Sequence, residues 1–502
     1  MRDSRISWSS YPNGLETVAT ALQECNEPLI QRDLTLTIYF IKVITDIYGY
    51  FANHKNTLPS QNPGWRMWLE NLIVPESSNF KLLYSKRLEP GNGERIDAAF
   101  KALIEANNSQ LNGISSVISF NSPRLGAESR RDGLLQNLLE ITANLDFEEK
   151  LAVQRGLDVP SNGFRYLLRY FATHYGKKTG DIIPPQEITQ LITKLLEPKT
   201  EEDICDSACH SGSMLIDYKH YEHNVSQYRL CGQEGNASAW ALAKMNLFLN
   251  GCDCRNIQLG SPITNPVLAD GSNRLKQFDV IISNLLTIPE DWGVEYAEKD
   301  PFKRFTWGVP LKNKGEYGFI QHMIASMKAG NGRMAVIVPR GVLFRGGSEA
   351  LIRRKLIEEN LLTTVICLPE KLFYGAIIPV AVLVLNARKP KEQKVLFIDA
   401  SRDFQTAKPR NTLRNADIDR ILETYRGKYE VAAYSHLASA EEIKNNDYNL
   451  NMPRYVQSTA VEFKIDPRQI EFERKLLLAE LLRLDKEIEQ LINFRADEQV
   501  SA

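Results

Sequence analysis

Between residues 166 and 400, short apolar and β-branched runs alternate with segments of helical periodicity. The runs lie at 204–206, 229–234, 278–283, 333–338, 362–368, 380–385 and 395–398. Helical segments before and between these runs lie at 186–196, 237–250, 318–328 and 348–359. This alternation is typical of parallel strands joined by crossover helices. The sequence therefore predicts an α/β fold with a doubly wound, mostly parallel sheet, and such sheets bind ligands at the carboxyl ends of their strands.

The regions on either side of this alternation have a different character. Residues 1–165 show helical stripes, such as Leu34, Ile38, Ile41, Ile44 and Ile47, and an aromatic cluster at Gly64, Trp65, Trp68 and Leu69. We predict a helical N-terminal domain at 1–165, the α/β domain at 166–400 and a C-terminal segment with an assembly helix at 401–502.

The last segment carries a heptad seam, formed by Leu477, Leu481, Leu484, Ile488 and Leu491. A seam of about two heptads either packs on its own protein or contacts a partner, and the pattern leaves both interpretations open.

Composition excludes several classes of protein. With 43% apolar and 25% charged residues the chain is typical of soluble globular proteins. Its apolar stretch at 34–50 is interrupted by Lys42, Asp46 and three threonines, so no membrane span is expected, and residues 1–11 lack the apolar core of a secretory signal. We therefore predict a cytoplasmic protein.

Charge and cysteine content narrow the possible ligands. The 61 basic and 62 acidic residues give a net charge of −1, so any DNA binding must be local or supplied by a partner. The seven cysteines lack the paired spacing of zinc sites and are interpreted as free thiols, with no metal site predicted. The basic runs at 353–355 and 388–394 either contact DNA phosphates or form solvated faces.

Three strand ends carry candidate site residues. Residues 206–214 follow a strand and open a helix, so they form either a ligand-binding turn or a simple tight connection. Glu234 ends the next strand, where a carboxylate binds a ribose diol or caps a helix. Asn284 ends the strand at 278–283, where an amide either holds a base edge or serves as a turn residue.

These residues also carry a resemblance. The segments concerned are 176–214, Gly232-Gln233-Glu234 with 240–247, 278–284, 317–323, 332–335, 339–347, 372–375, 446–451 and 453–455. Together they resemble the modification subunit of type I restriction-modification systems, from about residue 30 to the final helix.

The resemblance implies a class I S-adenosylmethionine-dependent methyltransferase fold and methylation of adenine N6 in double-stranded DNA. It implies assembly with a specificity subunit, a second copy of the modification subunit or an active relative, and a restriction subunit. The catalytic position is Asn284, followed by Leu285, Leu286 and Thr287. The implied cofactor-binding residues are Asp181, Ile182, Ile183, Pro184, Pro185, Gln186, Asp206, Ala208, Ser211, Gly212, Ser213 and Glu234.

The chemical motifs depart from the family's pattern. Where the family has Asn or Asp, two prolines and Phe or Tyr, this chain has Asn284-Leu285-Leu286-Thr287. In the loop that reads Asp-Pro-Ala-Cys-Gly-Ser-Gly-Gly in the family, Ser207, His210 and Ser213 replace Pro, the first Gly and the last Gly. The family's Gly-Glu-Phe-Tyr-Thr-Pro-Arg, with Phe and Tyr interchangeable, corresponds to residues 180–186, which carry Ile182 and Ile183.

Each departure has a physical cost. Without proline rings, φ at Leu285 and Leu286 is not fixed. The backbone carbonyl that would accept a hydrogen bond from the adenine N6 amine is therefore expected to be less firmly held. Thr287 cannot stack on a flipped base, and such a contact is worth about 1–3 kcal/mol, or roughly tenfold to a hundredfold. A glycine at position 210 allows a positive φ or close contact with a ligand, and a histidine restricts both.

Two functions follow from this pattern. In the first, the chain is a DNA- and specificity-subunit-binding scaffold with impaired catalysis. In the second, it is an active, site-specific DNA adenine-N6 methyltransferase in which Asn284 orients the amine and Glu234 holds the cofactor ribose.

Overall fold

The computed structural model describes residues 11–53, 71–147, 158–219, 229–270, 274–388, 390 and 394–457, together with 471, 474–475, 477–481 and 483–484. The chain divides into a unit that ends at Val456 and a second unit at Gln457–Ala502. The predicted aromatic cluster at 64–69 lies outside the described residues. The domain boundaries at 165 and 400 stay predictions.

The described residues of the first unit hold a nine-stranded sheet in the order β3-β2-β1-β4-β5-β7-β6-β8-β9. β7 runs antiparallel to β5 and β6, β9 runs antiparallel to β8, and all other neighbours are parallel. The strands are β1 Asp203–Asp206, β2 Arg229–Glu234, β3 Ile257–Leu259, β4 Val280–Asn284, β5 Arg333–Pro339, β6 Leu362–Cys367, β7 Val380–Asn386, β8 Val395–Asp399 and β9 Ser435–Ala438. The predicted doubly wound, mostly parallel sheet is confirmed.

Helices flank this sheet and precede it. They are α1 Tyr11–Thr20, α2 Pro28–Asn53, α3 Phe80–Ser85, α4 Asn92–Ala106, α5 Asn108–Leu111, α6 Glu128–Ala143, α7 Asp158–Thr179, α8 Gln186–Leu196, α9 Ser213–Lys219, α10 Ala237–Leu249, α11 Val294–Ala297, α12 Glu316–Ala325, α13 Ser348–Glu358, α14 Asn415–Gly427 and α15 Ala440–Asn445. Short 3-10 turns lie at Glu76–Ser78, Ile114–Ser116, Pro123–Leu125, Arg340–Leu343 and Met452–Arg454.

The long apolar helix α2 joins the N-terminal helices to the sheet. It packs against α7 and α10, and α10 is buried from Ala239 to Leu249. Pro28–Ala52 is long and apolar enough to cross a membrane by length and composition, but most of its apolar stretch is buried inside the protein. The apolar stripe predicted at 34–47 therefore belongs to a core helix of the N-terminal region.

One side chain of the basic run at 353–355 is buried. Arg353 donates to the carbonyls of Tyr448 and Val342, at 3.1 and 3.2 Å. Arg354 and Lys355 form ion pairs with Glu358 on the same helix. The DNA-contact interpretation is therefore wrong for Arg353, whose positive charge holds the C-terminal part of this unit to α13.

In the second unit, the described residues between 471 and 484 are helical. Leu477, Leu481 and Leu484 of the heptad seam are exposed, and Ile488 and Leu491 lie outside the described residues. The assembly role of this helix stays a prediction.

Candidate functional site

The predicted site residues meet at the carboxyl ends of β1, β2 and β4, around two adjacent cavities. The smaller, of about 30 Å³, is lined by Asp181, Ile182, Ile183, Pro184, Asp206, Ala208, Ser211, Ser213 and Asn284, among others. The larger cleft, of about 670 Å³, is lined by Glu234, Leu285 and Thr287 together with Asp181, Ala208 and Asn284. Pro185, Gln186, Gly212 and Leu286 line neither cavity.

Gly212 and Pro185 have structural positions beside this site. Gly212 has a φ of +72° and packs against Leu247 of α10, where an added Cβ would lie 3.2 Å from the leucine side chain. Pro185 precedes the first turn of α8, which begins at Gln186. These residues shape the loops rather than line the cavities.

Asp206, the last residue of β1, anchors the following loop. Its carboxylate accepts hydrogen bonds from the Ala208 N–H and the Ser283 hydroxyl, both at 3.2 Å. Burial raises the pKa of this carboxyl to about 7, although both hydrogen bonds favour the ionised form. Near neutral pH the group is therefore divided between its protonated and ionised states.

Glu234, at the end of β2, ties this loop to the neighbouring strand. One carboxylate oxygen accepts the Asn236 N–H at 2.8 Å, and the other accepts the His210 N–H at 2.9 Å. A carboxylate has about four acceptor positions. Its two backbone hydrogen bonds therefore leave capacity for a ligand in the larger cleft, which Glu234 lines.

His210 lines both cavities. Its φ of +45° is in the left-handed region, which is the conformation that a glycine at this position would allow. The ring Nε2 shares a hydrogen bond of 3.1 Å with the Thr287 hydroxyl, and Nδ1 lies 3.9 Å from the Glu234 carboxylate. Two residues that depart from the family pattern, at 210 and 287, are therefore in direct contact.

Asn284 lines both cavities and has a buried acceptor. Its amide nitrogen donates to the Ile182 carbonyl at 2.9 Å, which fixes the orientation of the side chain. The amide oxygen is buried and has no hydrogen-bond partner among the described residues. An oriented amide oxygen of this kind can accept a hydrogen bond from an exocyclic amine.

Leu285 is held without a proline ring. Its N–H donates to the Ile337 carbonyl at 2.9 Å, which extends the β4–β5 pairing by one residue, and its side chain is buried. Proline could not make this hydrogen bond. The expected looseness of the backbone is therefore not found at Leu285.

Asp181 makes an ion pair across the site that sequence reasoning missed. Its carboxylate binds Arg32 of α2, and the same guanidinium donates to Asp33 and to the Ser238 hydroxyl, the latter at 2.6 Å. Ser238 in turn donates to Asp33 at 2.6 Å. The charged pair Arg32-Asp33 near the start of a mostly apolar helix was the signal that could have indicated this cluster.

The outer wall of the larger cleft comes from the segment after β4. Trp292 donates to the Leu311 carbonyl at 3.0 Å and packs on Gly315 and Gly318, where an added Cβ would lie 2.5 and 2.6 Å from the indole. Tyr296 lies at the rim and is exposed, and Phe319 lines the same cleft. No periodic pattern marks this segment, so sequence reasoning did not predict it.

The two cavity volumes test whether S-adenosylmethionine fits. A cavity needs about 10–15 Å³ to hold one water, so the smaller cavity has room for roughly two waters. Most of the implied cofactor-binding residues surround this narrow space, which has less room than the methionine half of the cofactor needs. The adjoining cleft, which Asp181, Ala208 and Glu234 also line, is large enough for the adenosine half of the cofactor.

Comparison with known proteins identifies the family. The sequence model described as N-6 DNA Methylase matches residues 156–463. The chain is also 30% identical over 393 residues to the type I restriction enzyme HindI methylase subunit of Haemophilus influenzae, covering 74% of this chain and 84% of that protein. This chain belongs to the N-6 DNA methylase family.

Other members of the N-6 DNA methylase family support this assignment. The type I restriction enzyme MjaVIII methylase subunit of Methanocaldococcus jannaschii is 29% identical over 405 residues, which cover 77% of this chain and 67% of that protein. The crystal structure of a type I restriction-modification methyltransferase subunit from Streptococcus thermophilus has a TM-score of 0.72 and 27% identity, covering 89% of this chain and 99% of that one. The class I methyltransferase-like fold is thus shown together with the type I relationship.

Proposed function

We propose that this chain is a modification-subunit-like component of a type I restriction-modification system, in which it serves as a scaffold that binds DNA and the specificity subunit, with impaired catalysis. Its partners are a specificity subunit, a second copy of the modification subunit or an active relative, a restriction subunit and double-stranded DNA, in the cytoplasm. The family relationship supports the assembly role, and the site supports the loss of activity.

The single observation that carries the proposal is the narrow cavity beside His210. The residues that correspond to the family's cofactor motifs surround a space of about 30 Å³. His210, in the position of a family glycine, places its ring beside Glu234 and Thr287. This ring stands where the family has no side chain, so we infer that the weakened step is binding of the methyl donor.

Loss of an aromatic side chain adds a second defect. Thr287 uses its hydroxyl to contact His210, and no ring stands at this position to stack on a flipped base. Loss of a base–aromatic contact costs about 1–3 kcal/mol, or roughly tenfold to a hundredfold. Both defects lie within the site, whereas the sheet and the helices that build the fold are intact.

The test is a methyl-transfer assay on the assembled complex. Purified chain and specificity subunit are combined with duplex DNA and radiolabelled S-adenosylmethionine, and complex formation is measured in the same samples. We expect a stable complex that binds duplex DNA and transfers at least roughly tenfold less label than the His210→Gly, Thr287→Phe variant, which keeps the Leu285 hydrogen bond to β5. Equal transfer by the two proteins contradicts the proposal.

An active adenine-N6 methyltransferase is the second candidate, and Asn284 favours it. The N6 amine of adenine is a poor nucleophile because its lone pair is delocalised into the ring. A buried amide oxygen that accepts a hydrogen bond from this amine would localise that pair, and the Asn284 oxygen has no other hydrogen-bond partner among the described residues. Under this alternative the wild-type complex methylates DNA at an ordinary rate, and Asn284→Ala abolishes transfer while DNA binding is retained.

A further inference from the structure

The larger cleft has an acidic lining. Among the described residues, Asp181, Glu234, Asp291 and Glu295 line it, together with one arginine, Arg32, and no lysine. Arg32 is already paired with Asp181. The backbone of DNA carries one negative charge at each phosphate, and proteins neutralise it with lysine and arginine. Any contact that this chain makes to that backbone therefore needs basic residues outside the cleft.

A groove of opposite charge lies between α7 and two loops. It has a volume of about 370 Å³ and is lined by α7 residues within 173–178, by the loop at 373–377 and by residues 409–410. Its charged lining residues, Lys178 and Arg410, are both basic, and no acidic residue lines it in the part of the chain that the structure describes. We call it the basic groove.

Backbone contacts fix the floor of the basic groove. Gly375 has a φ of +86°, and a Cβ added there would lie 2.7 Å from the Ala172 carbonyl oxygen. A Cβ added at Gly176 would lie 2.9 Å from the Cα of Gly375, so α7 and the loop meet without side chains. Tyr374 of this loop pairs with Ile183 through two backbone hydrogen bonds of 3.2 Å. Because Ile183 lines the smaller cavity, the groove adjoins the candidate site.

Two guanidinium groups meet at the ring of Tyr374. The central carbon of the Arg410 guanidinium lies 4.7 Å from the ring centroid, and that of Arg169 lies 5.5 Å from it. Glu187 neutralises Arg410 by accepting two of its hydrogen bonds, at 2.5 and 3.4 Å. Arg169 makes no ion pair or side-chain hydrogen bond with any described residue. Burial lowers the pKa of its guanidinium, and the positive charge of Arg165 adds to this effect. A bound anion would offset both.

Lys178 supplies a second cation without a partner. It is exposed at the rim of the basic groove, and no ion pair or hydrogen bond of its ammonium group is found among the described residues. An ammonium and a guanidinium group both donate hydrogen bonds to phosphate oxygens. Since Glu187 cancels the charge of Arg410, Lys178 and Arg169 give the groove its excess of positive charge.

We propose that the basic groove holds a phosphodiester of the backbone of duplex DNA, with Lys178 as the donor at its rim and the guanidinium groups beside Tyr374 as the positive charge of its wall. This inference rests on the proposed function, in which the assembled chain binds DNA, and names the surface of this chain that takes part. The groove adjoins the segment whose Ile182 carbonyl holds the Asn284 amide, so the duplex lies next to the candidate site.

Fluorescence anisotropy of the full chain assembled with a specificity subunit tests the groove with duplex DNA at several salt concentrations. Lys178→Gln should weaken binding at least roughly threefold and lower the slope of log affinity against log salt by about 1. Arg169→Gln, which breaks no ion pair, should weaken binding in the same direction. The loss should be equal for the recognised site and an unrelated duplex, because phosphates carry no sequence information.

Two further variants separate the groove from a general effect of charge. Lys101→Gln removes a positive charge from α4, where the lysine is exposed and pairs with Glu105, so affinity and salt slope should equal those of wild type. Lys178→Arg keeps a cation at the rim and should keep the salt slope. Thermal unfolding of all four variants checks that each is folded.

The outcomes separate this inference from the proposed function. If the wild-type complex binds duplex DNA and the folded Lys178→Gln and Arg169→Gln variants bind it equally well with the same salt slope, the groove is overturned and the scaffold proposal stands. A loss confined to the recognised site would indicate base reading and also overturns the phosphate contact. If the wild-type complex binds no duplex, the DNA-binding role fails and this inference fails with it.

A free anion is the remaining occupant to be tested, and calorimetry of the full chain with inorganic phosphate tests it. We expect no preference between wild type and Lys178→Gln, because the groove is open to a polymer that brings many phosphates at once. Binding of inorganic phosphate by wild type and not by Lys178→Gln, with equal binding of duplex DNA by the two complexes, would assign the groove to a free anion and overturn the DNA contact.

Discussion

At the scale of single residues, the site shows what a motif can and cannot predict. A family glycine at position 210 indicated a positive φ, and His210 has one, at +45°. The contact between His210 and Thr287 could not be predicted, because it joins two loops 77 residues apart through the packing of β1 against β4. Motifs located Asn284 and Glu234, whereas only the structure shows which of their oxygens are already used.

Asp206 gives a pH prediction with a definite sign. Burial raises the pKa of its carboxyl from 3.8 to about 7, so between these values the folded protein holds a proton that the unfolded chain releases. The stability that this proton supplies is present at low pH and is lost as the pH rises through about 7. We expect Asp206→Asn to gain about 2–3 kcal/mol relative to wild type between about pH 5 and about pH 8, measured by urea unfolding.

Asp417 is the control for this measurement. Its hydrogen bonds to Arg414 lower the pKa of its carboxyl below the ordinary 3.8, so the folded and unfolded forms are both ionised across that pH range. Asp417→Asn should therefore shift stability by an amount that does not change with pH. A pH-independent difference for Asp206→Asn would show that its carboxyl titrates normally.

At the scale of helices and strands, the pattern predicted most of the sheet. The seven predicted strands all form, and the predicted helix at 186–196 coincides with α8. The strands β3 and β9 were missed because runs of three and four residues carry too little alternation to stand out. The aromatic wall after β4 was missed for a related reason, since only α11, of four residues, forms there.

The contact between α12 and Trp292 gives a prediction about packing. Gly318→Ala would place a Cβ 2.6 Å from the indole, and we expect a loss of about 1–3 kcal/mol in the free energy of unfolding. Gly133→Ala in α6 is the matched control, because no atom lies within 4 Å of its added Cβ, and alanine should stabilise that helix by about 0.5–1 kcal/mol. Thermal and urea unfolding of both variants measure the difference. Stabilisation by both alanines would contradict the packing argument.

The ion-pair cluster of Arg32, Asp33, Asp181 and Ser238 ties α2 to the loop at 180–186, and we expect it to hold that loop in place. Arg32 is buried and bridges Asp33, Asp181 and Ser238, so removing it leaves two carboxylates without their cation. We expect Arg32→Met to lower the free energy of unfolding by about 3–5 kcal/mol. Arg354→Met, which breaks an exposed ion pair with Glu358, should leave stability almost unchanged in the same urea titration. Equal effects of the two substitutions would show that the buried cluster has no special role.

At the scale of the whole molecule, charge and fold lead to different expectations about DNA. The fold belongs to a family of DNA methylases, yet the 61 basic and 62 acidic residues nearly cancel. One candidate basic residue, Arg353, is buried and serves the packing of α13. Sequence alone could not show this, because a basic run has the same letters whether it faces solvent or the core. A net charge near zero gives no strong overall field, so under the proposed function DNA binding depends on the assembly.

Assembly with a specificity subunit should accordingly decide the affinity for duplex DNA. We expect the isolated chain to bind with a dissociation constant of about 10⁻⁴ M or weaker, the weak end of non-specific binding, and with a shallow dependence on salt, because few phosphates are neutralised. The complex with a specificity subunit should bind its site with a constant of about 10⁻⁸ M or tighter. Fluorescence anisotropy at several salt concentrations measures both. Nanomolar binding by the isolated chain, with a steep dependence on salt, would place the DNA-binding surface on this chain and remove the need for a partner. The net charge near zero would then conceal a concentrated basic face.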